Sequence, residues 1–371
     1  ERGAVDVARN RHAEFFLDRV GAASGLVVTP EFTRWLAWFV SFYAEIRRAL
    51  TWSLEHHARS ATLRAAPALY EYWYRQAKAS EAGFWGRLML AESDDAPEAL
   101  RAAAHEAVAF GDSISGNIGD LIEHAEAAIR LCREAGDDWG LVQALFVRAQ
   151  GALAAGDFAT MESTGREGLA RSSDERWLRS RPLTVLGFSA LFGAGDLDGA
   201  AGYLQEALRL YRELGDRTSE VVLALTPLCL IELGRGNLAA AEGFALDAIA
   251  VSDFWEGSAL SVLGDVRLAQ GDPAAATAVL RRALERSLDV GLENWFRVNA
   301  RKLAVLAAET GQYEDAARLW GASTVNIPFW GDSIGRDIVV RIREHLGEEF
   351  DRLVAEGAAW DHASVLAAAA G

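Results

Sequence analysis

The sequence predicts an all-α fold in which antiparallel helix pairs stack one upon the next, and three observations carry that prediction. The first is composition. Of 371 residues, 51% are hydrophobic and 24% charged, with 34 Gly and only 7 Pro, a balance that favours helices punctuated by glycine turns over short strands with proline-rich connections. The second is a turn motif, Gly followed by Asp, Asn or Gln, at Gly116, Gly156, Gly195, Gly236, Gly271 and Gly311. Subtracting successive positions gives 40, 39, 41, 35 and 40 residues, a period typical of paired-helix repeats. The third is a small residue five positions after the Gly (Ala200, Ala241, Ala276, Ala316) and again twelve after it (Ala128, Ala207, Ala248, Ala283), where helices must approach closely.

Taken in order, residues 1–97 form an aromatic-rich helical region leading into the repeats. Phe15, Phe16, Trp35, Trp38, Phe39 and Tyr70 to Tyr74 fall within its first 80 residues, which read as three or so helices. Gly83-Phe84-Trp85 reads as a degenerate first turn, and Ser93-Asp94-Asp95-Ala96-Pro97 breaks the chain with Pro near a helix start. Residues 98–322 are the repeats. In each turn the Gly takes the left-handed conformation that ends one helix, and the Asp or Asn after it caps the exposed N–H groups of the next. Pro273 fits a first helical position, where its missing N–H costs nothing. Gln312 is the weakest cap, with Glu314 and Asp315 restoring negative charge beside it.

A second turn closes each pair, at Gly136-Asp137, Gly215-Asp216 and Gly291. Leu204, Leu208, Tyr211 and Leu214 lie at helical spacing and form an apolar stripe that a neighbouring helix must cover. Pro227, inside Val221–Leu233, should kink its helix or delay its start. Ile327-Pro328-Phe329-Trp330-Gly331 breaks the pattern, and residues 323–371 are read as capping helices over the open end of the stack.

Charge and cysteine content exclude several classes. A formal net charge of −16 and a pI near 5.0 repel a phosphate backbone, and Arg47-Arg48 and Arg281-Arg282 are isolated basic pairs, so no direct nucleic-acid binding is expected of this segment. Cys132 and Cys229, the only cysteines, lie in alanine-rich helical surroundings and read as buried free thiols. No apolar run spans a bilayer and no signal-peptide pattern stands at the start, so neither membrane insertion nor secretion is expected and the cytoplasm is the expected compartment. The chain reads as a piece of something longer.

Motifs that could carry chemistry fare poorly. Gly111-Asp112-Ser113 and Gly331-Asp332-Ser333 resemble a nucleophile block of one esterase family, but they are read as helix connections in which Asp or Ser merely caps. Gly111 to Gly116 has P-loop glycine spacing but lacks the Lys and hydroxyl that follow. His56-His57 point about 100° apart on a helix and cannot readily chelate one metal. No catalytic residue, cofactor or metal ligand is therefore assigned. Twelve Trp in an acidic helical chain also describe an α/α-toroid glycosidase, but the near-40 period leaves no room for long catalytic loops.

Gly-Asp/Asn-Leu followed by Ala at plus five and plus twelve resembles the tetratricopeptide pattern, which implies a right-handed superhelix of helix pairs. The longer period resembles the C-terminal repeat arrays of actinobacterial LuxR-type and NB-ARC-type signal-transduction ATPase transcriptional regulators. Arg11-His12-Ala13-Glu14-Phe15-Phe16 and Glu45-Ile46-Arg47-Arg48-Ala49-Leu50-Thr51-Trp52 are similar to the segment that joins the ATPase and winged-helix part of such proteins to their repeats. The stretch from Ala316-Ala317-Arg318-Leu319-Trp320 to Leu346-Gly347-Glu348-Glu349-Phe350 is similar to their closing repeat and cap.

The resemblance implies a regulatory or sensor module rather than an enzyme. Its concave groove would take a protein segment or small effector and so control the attached ATPase and DNA-binding domains. A stand-alone assembly scaffold is the alternative, and homo-oligomer formation stays open. Trp139, Trp177, Trp255 and Trp295 each follow an inter-repeat break, near starts of the first helices that usually line such a groove, and are the candidate ligand- or partner-binding residues.

Overall fold

A computed structural model describes residues 2–27, 29–56, 59–91, 93, 95–172, 176–323 and 336–369, and no strand occurs among the described residues. The helices are α1 Arg2–Ala22, α2 Phe32–Glu55, α3 Arg59–Arg64, α4 Ala66–Arg75, α5 Ala79–Leu90, α6 Glu98–Ser115, α7 Ile118–Ala135, α8 Asp138–Ala155, α9 Phe158–Arg171, α10 Ser180–Phe188 and α11 Leu197–Leu214. They continue as α12 Thr226–Gly234, α13 Leu238–Val251, α14 Glu256–Ala269, α15 Pro273–Asp289, α16 Glu293–Glu309, α17 Tyr313–Ala322, α18 Arg336–Leu346, α19 Glu349–Ala358 and α20 His362–Ala368. The chain divides into two compact units, one of residues 1–153, 157–194 and 206–217, the other of 154–156, 195–205 and 218–371.

In the first unit α1 packs on α2, α5 and α7 flank α6, and α9 packs on α10. Its centre is α4, whose residues Leu69 to Trp73 are apolar nearly all round and buried all round, as a helix with no solvent face must be. In the second unit each helix from α12 to α17 packs on its successor, and α17 packs on α19. Cys229, Ala241, Leu260, Leu263 and Ala283 form one core there, and Leu280, Leu284, Phe296, Leu303 and Leu319 belong to another.

The turn motif behaves as the sequence requires. All six motif glycines, and Gly136, Gly215 and Gly291 of the second turn, have φ between +66° and +83°, where a Cβ would strain the backbone. At Gly156, for example, the following Asp157 N–H reaches back to the Ala152 carbonyl at 2.8 Å, closing the helix end in a Schellman arrangement. The small residues five and twelve positions after the turns are fully buried, as are Leu204 and Tyr211 of the apolar stripe. Cys132 and Cys229 are buried and free.

The capping roles divide by residue type. Asp157, Asp196, Asp272 and Asp137 each accept the N–H three residues on, at 2.8–3.0 Å, with Pro273 opening α15. Asn117, Asn237 and Gln312 make no such bond; the Asn237 amide N–H donates to Glu232 at 2.8 Å.

Two readings need correction. Gly83 lies within α5 and Gly111-Asp112-Ser113 within α6, neither in a turn. A Cβ on Gly111 would stand 2.6 Å from the Gly83 Cα, so this glycine pair marks a close helix crossing. Asp112, buried, accepts from Arg87 at 2.5 Å. Pro227 delays its helix as expected: it sits in the first turn of α12, which begins only at Thr226, and the turn before it, Glu220–Leu225, widens to a π-helix, which accommodates the clash of the ring with the carbonyl four residues back. His57, Ile327 to Gly331 and Gly331-Asp332-Ser333 lie outside the described residues.

Candidate binding site

Charged side chains in a helical core require partners, and the first unit buries several at one place. Glu71 and Arg75 project from α4, Glu106 from α6, Gln143 and Phe146 from α8, and Arg181 and Thr184 from α10; all are less than 9% exposed. Thus α6, α8 and α10, the first helices of consecutive pairs, each contribute to a single polar cluster.

Arg181 is its hub. Its guanidinium donates to the Glu71 carboxylate at 2.6 Å and to the Gln143 side-chain oxygen, and lies 4.9 Å from the Tyr74 ring centroid and 5.4 Å from that of Phe146. The other Glu71 oxygen accepts from Arg75 Nε at 2.7 Å, and Arg75 also donates to the Val27 carbonyl at 3.1 Å and approaches Asp216 at 4.0 Å. Thr184 shares a 2.7 Å bond with the Tyr211 hydroxyl. One carboxylate clamped by two guanidiniums, each stacked or bonded elsewhere, has the geometry in which a buried ion pair is tolerated.

The electrostatics separate two carboxyls. Burial pushes Glu71 up, but Arg181 and Arg75 outweigh it and hold the group below the usual carboxylate range. Burial raises Glu106 well above that range, with Asp137 and Glu71 adding to the effect against Arg181. Burial likewise raises the phenols of Tyr70 and Tyr211. Such divergent groups at one buried place mark candidate functional sites. Three of the polar atoms there, the Tyr70 hydroxyl, Glu106 Oε1 and Gln143 Nε2, have no protein hydrogen-bond partner. Two donors and a carboxyl oxygen are thus offered to a bound polar group or to water.

The four tryptophans stand where the spacing put them, in the first turns of α8 (Trp139) and α16 (Trp295), in the 3₁₀ turn Arg176–Arg179 before α10 (Trp177), and at the N-cap of α14 (Trp255). Trp139 and Trp177 belong to the first unit, Trp255 and Trp295 to the second. Trp255 is buried, the others half-buried, and the indole N–H groups of Trp177 and Trp255 are buried without a protein acceptor. The Arg181 cluster escaped sequence reading. Its trace is a lone charge inside an apolar run, as in Leu69-Tyr70-Glu71-Tyr72-Trp73.

A second, half-buried pairing was equally hidden. His105 on α6 and His124 on α7 face each other with Nδ1 atoms 2.8 Å apart. Burial, with His124, Arg101 and Arg130 nearby, lowers His105 to about 4. Among the described residues no three His, Cys, Asp or Glu side chains are placed to hold a metal ion, and no helix is long and apolar enough to cross a membrane.

No family model matches the sequence. Three curated proteins, one from Mycobacterium bovis (strain ATCC BAA-935 / AF2122/97) and two from strains of Mycobacterium tuberculosis (CDC 1551 / Oshkosh and ATCC 25618 / H37Rv), bear the name "Putative HTH-type transcriptional regulator". Each is 26% identical over 292 residues, covering 71% of this chain and 32% of the relative. The chain therefore spans about a third of the length of the curated relatives it matches. Among solved structures, the apo form of RapI superposes with a TM-score of 0.49 at 12% identity, covering 83% of each chain. A Rap protein complexed with competence and sporulation factor gives 0.49 at 14%, covering 72% of this chain and 81% of that one.

Proposed function

We propose that this chain is the regulatory interaction region of a longer cytoplasmic transcriptional regulator, and that it binds a protein segment or small effector and thereby controls attached ATPase and DNA-binding domains. One observation carries the reading: a chain built of helix pairs joined by glycine turns is similar, over 292 residues, to proteins named as HTH-type transcriptional regulators. Repeat arrays of this kind hold partners on side chains presented by successive first helices. The Arg181 cluster supports the reading, because it bonds the first helices α8 and α10 to one another and to α4, with Glu106 of α6 beside them.

The chain is read as a binding module and not as an enzyme. In the mechanism, a ligand that satisfies Tyr70, Glu106 and Gln143, or that inserts beside Trp139 or Trp177, favours one arrangement of the first helices over another. Only such a difference in affinity between two arrangements can shift their populations.

The test is a thermal-shift screen of the purified chain against fractionated cell extract, with bound species identified by mass spectrometry. A saturating ligand at a hundred times its dissociation constant adds about 2.7 kcal/mol of stability. The reading predicts a specific small molecule or peptide whose stabilisation falls away in Gln143→Leu and Trp177→Ala variants. Stabilisation by no fraction, or one indifferent to both substitutions, contradicts it.

A further inference from the structure

The net charge of the whole chain conceals an asymmetry. Residues 1–90 hold 12 Lys and Arg against 9 Asp and Glu, a balance of +3, so the remaining residues carry −16 − 3 = −19. Apolar exposure is concentrated in the same part: among the described residues, Val5, Val7, Phe15, Val40, Phe42, Phe84 and Leu88 are seven of the ten exposed large hydrophobic side chains.

On α1 and α2 the two features coincide in register. Val7, Arg11, Phe15 and Arg19 follow one another at intervals of four along α1, and Arg34, Trp38 and Phe42 do the same along α2, so each set forms one stripe on its helix. Ring contacts join the stripes: Phe15 to Phe16 at 5.1 Å, Phe16 to Trp38 at 6.0 Å and to Phe42 at 6.1 Å, and Trp38 to Phe42 at 5.5 Å. Phe15 is 58% and Phe42 42% exposed, and Arg19 lies over Trp35 and Trp38 at 5.7 and 5.6 Å.

The cations on these stripes are of a particular kind. Arg75, Arg87, Arg133, Arg209 and Arg318 each meet a carboxylate at 2.5–2.9 Å. Among the described residues Arg11, Arg19 and Arg34 meet none within 4.0 Å. Asp18 is taken by Arg64 at 3.4 Å and Glu45 by His12 at 2.9 Å, which leaves Glu14 and Glu31 as the nearby acids. An exposed aromatic surface flanked by guanidiniums that make no salt bridge, in a chain otherwise rich in acid, is complementary to apolar groups flanked by carboxylates.

We propose that the α1–α2 surface docks an acidic amphipathic segment of a partner protein, with apolar side chains on Phe15, Trp38 and Phe42 and carboxylates on Arg11, Arg19 and Arg34. This surface is separate from the Arg181 cluster and stands without the function proposed above. A protein segment is favoured over an anionic bilayer or a nucleic acid because a short peptide interacts within about a Debye length, ~8–10 Å, of its contacts. An extended polyanion would also meet the −19 carried by the rest of the chain.

The experiment is fluorescence anisotropy on the full chain with a labelled helical peptide of about 18 residues, Leu on one face and Glu on the other, against its Lys-for-Glu counterpart. Phosphatidylglycerol vesicles are tested by co-sedimentation. The expected result is micromolar binding of the acidic peptide, at least about tenfold tighter than the basic one, and weaker at ~200 mM than at ~50 mM salt. Binding should fall at least about fivefold both in Phe15→Ser/Phe42→Ser and in Arg11→Gln/Arg19→Gln/Arg34→Gln. The substituted side chains are exposed, and unchanged circular dichroism and melting temperature confirm that the variants fold. Absence of acidic-peptide binding, equal binding of both peptides, unchanged affinity in either variant, or capture by vesicles in place of the peptide overturns the proposal.

Discussion

Replacing Arg181 with Met removes the guanidinium that clamps Glu71 and Gln143 while keeping much of the side chain's length. Breaking a buried ion pair from one side costs about 3–5 kcal/mol, mostly because the abandoned charge stays buried. Here Arg75 remains 2.7 Å from the other Glu71 oxygen, which offsets part of that cost. Loss of the cation over Tyr74 and Phe146 adds on the order of 1 kcal/mol. The sum is a loss of roughly 3 kcal/mol, or about 6–12 °C in melting temperature for a domain of this size. Urea denaturation followed by far-UV circular dichroism reads it directly, and a cycle with Glu71→Gln should show coupling above about 1 kcal/mol. A loss below about 1 kcal/mol in Arg181→Met, or additive behaviour in the cycle, refutes the view that this cluster ties the first helices together.

Other outcomes follow from the same geometry. Glu106 is held above its unfolded value by burial, so ionising it opposes folding once pH exceeds the unfolded value of about 4.3. Glu106→Gln should therefore stabilise at pH 8 relative to pH 4, measured as the difference in melting temperature between the two. His105 is lowered to about 4 from 6.5, so the native state prefers the neutral ring. Stability is intact above pH 6.5 and falls as pH drops towards 4, by at most roughly 3 kcal/mol, and His105→Gln should flatten that slope in a pH series of urea melts. Gly111→Ala gains about 1 kcal/mol of helix propensity, but its Cβ would meet the Gly83 Cα at 2.6 Å, a clash worth more, so a net loss is expected in thermal melts. Gly243→Ala in α13, with nothing within 4 Å, should gain up to about 1 kcal/mol instead.

What was legible in the sequence is what a few adjacent residues decide. A left-handed helix end admits little besides Gly, so the turn glycines announce themselves at Gly116, Gly156 or Gly291 without knowledge of the rest. The buried alanines are legible because their spacing repeats. Misreadings arose where one residue type serves two purposes: Gly83 and Gly111 are glycines for closeness between helices, not for a turn, and only the partner helix reveals it. Asn117 and Asn237 stand at helix starts but make no cap bond, and the Asn237 amide N–H goes to Glu232. The Arg181 cluster joins residues 110 positions apart and the histidine pair residues 19 apart, and no local pattern encodes such pairings. The tryptophans at 139, 177, 255 and 295 were placed correctly at helix starts, but their burial depends on neighbouring repeats.

The measurement that bears most directly on the central claim is the genome-wide transcript profile of cells in which the gene carrying this chain has residues 98–322 deleted in frame. If the repeats regulate attached DNA-binding domains, a defined set of transcripts becomes constitutively raised or silent while the remaining protein still accumulates. A profile indistinguishable from that of the parent strain, with the truncated protein present at parental levels, contradicts the account.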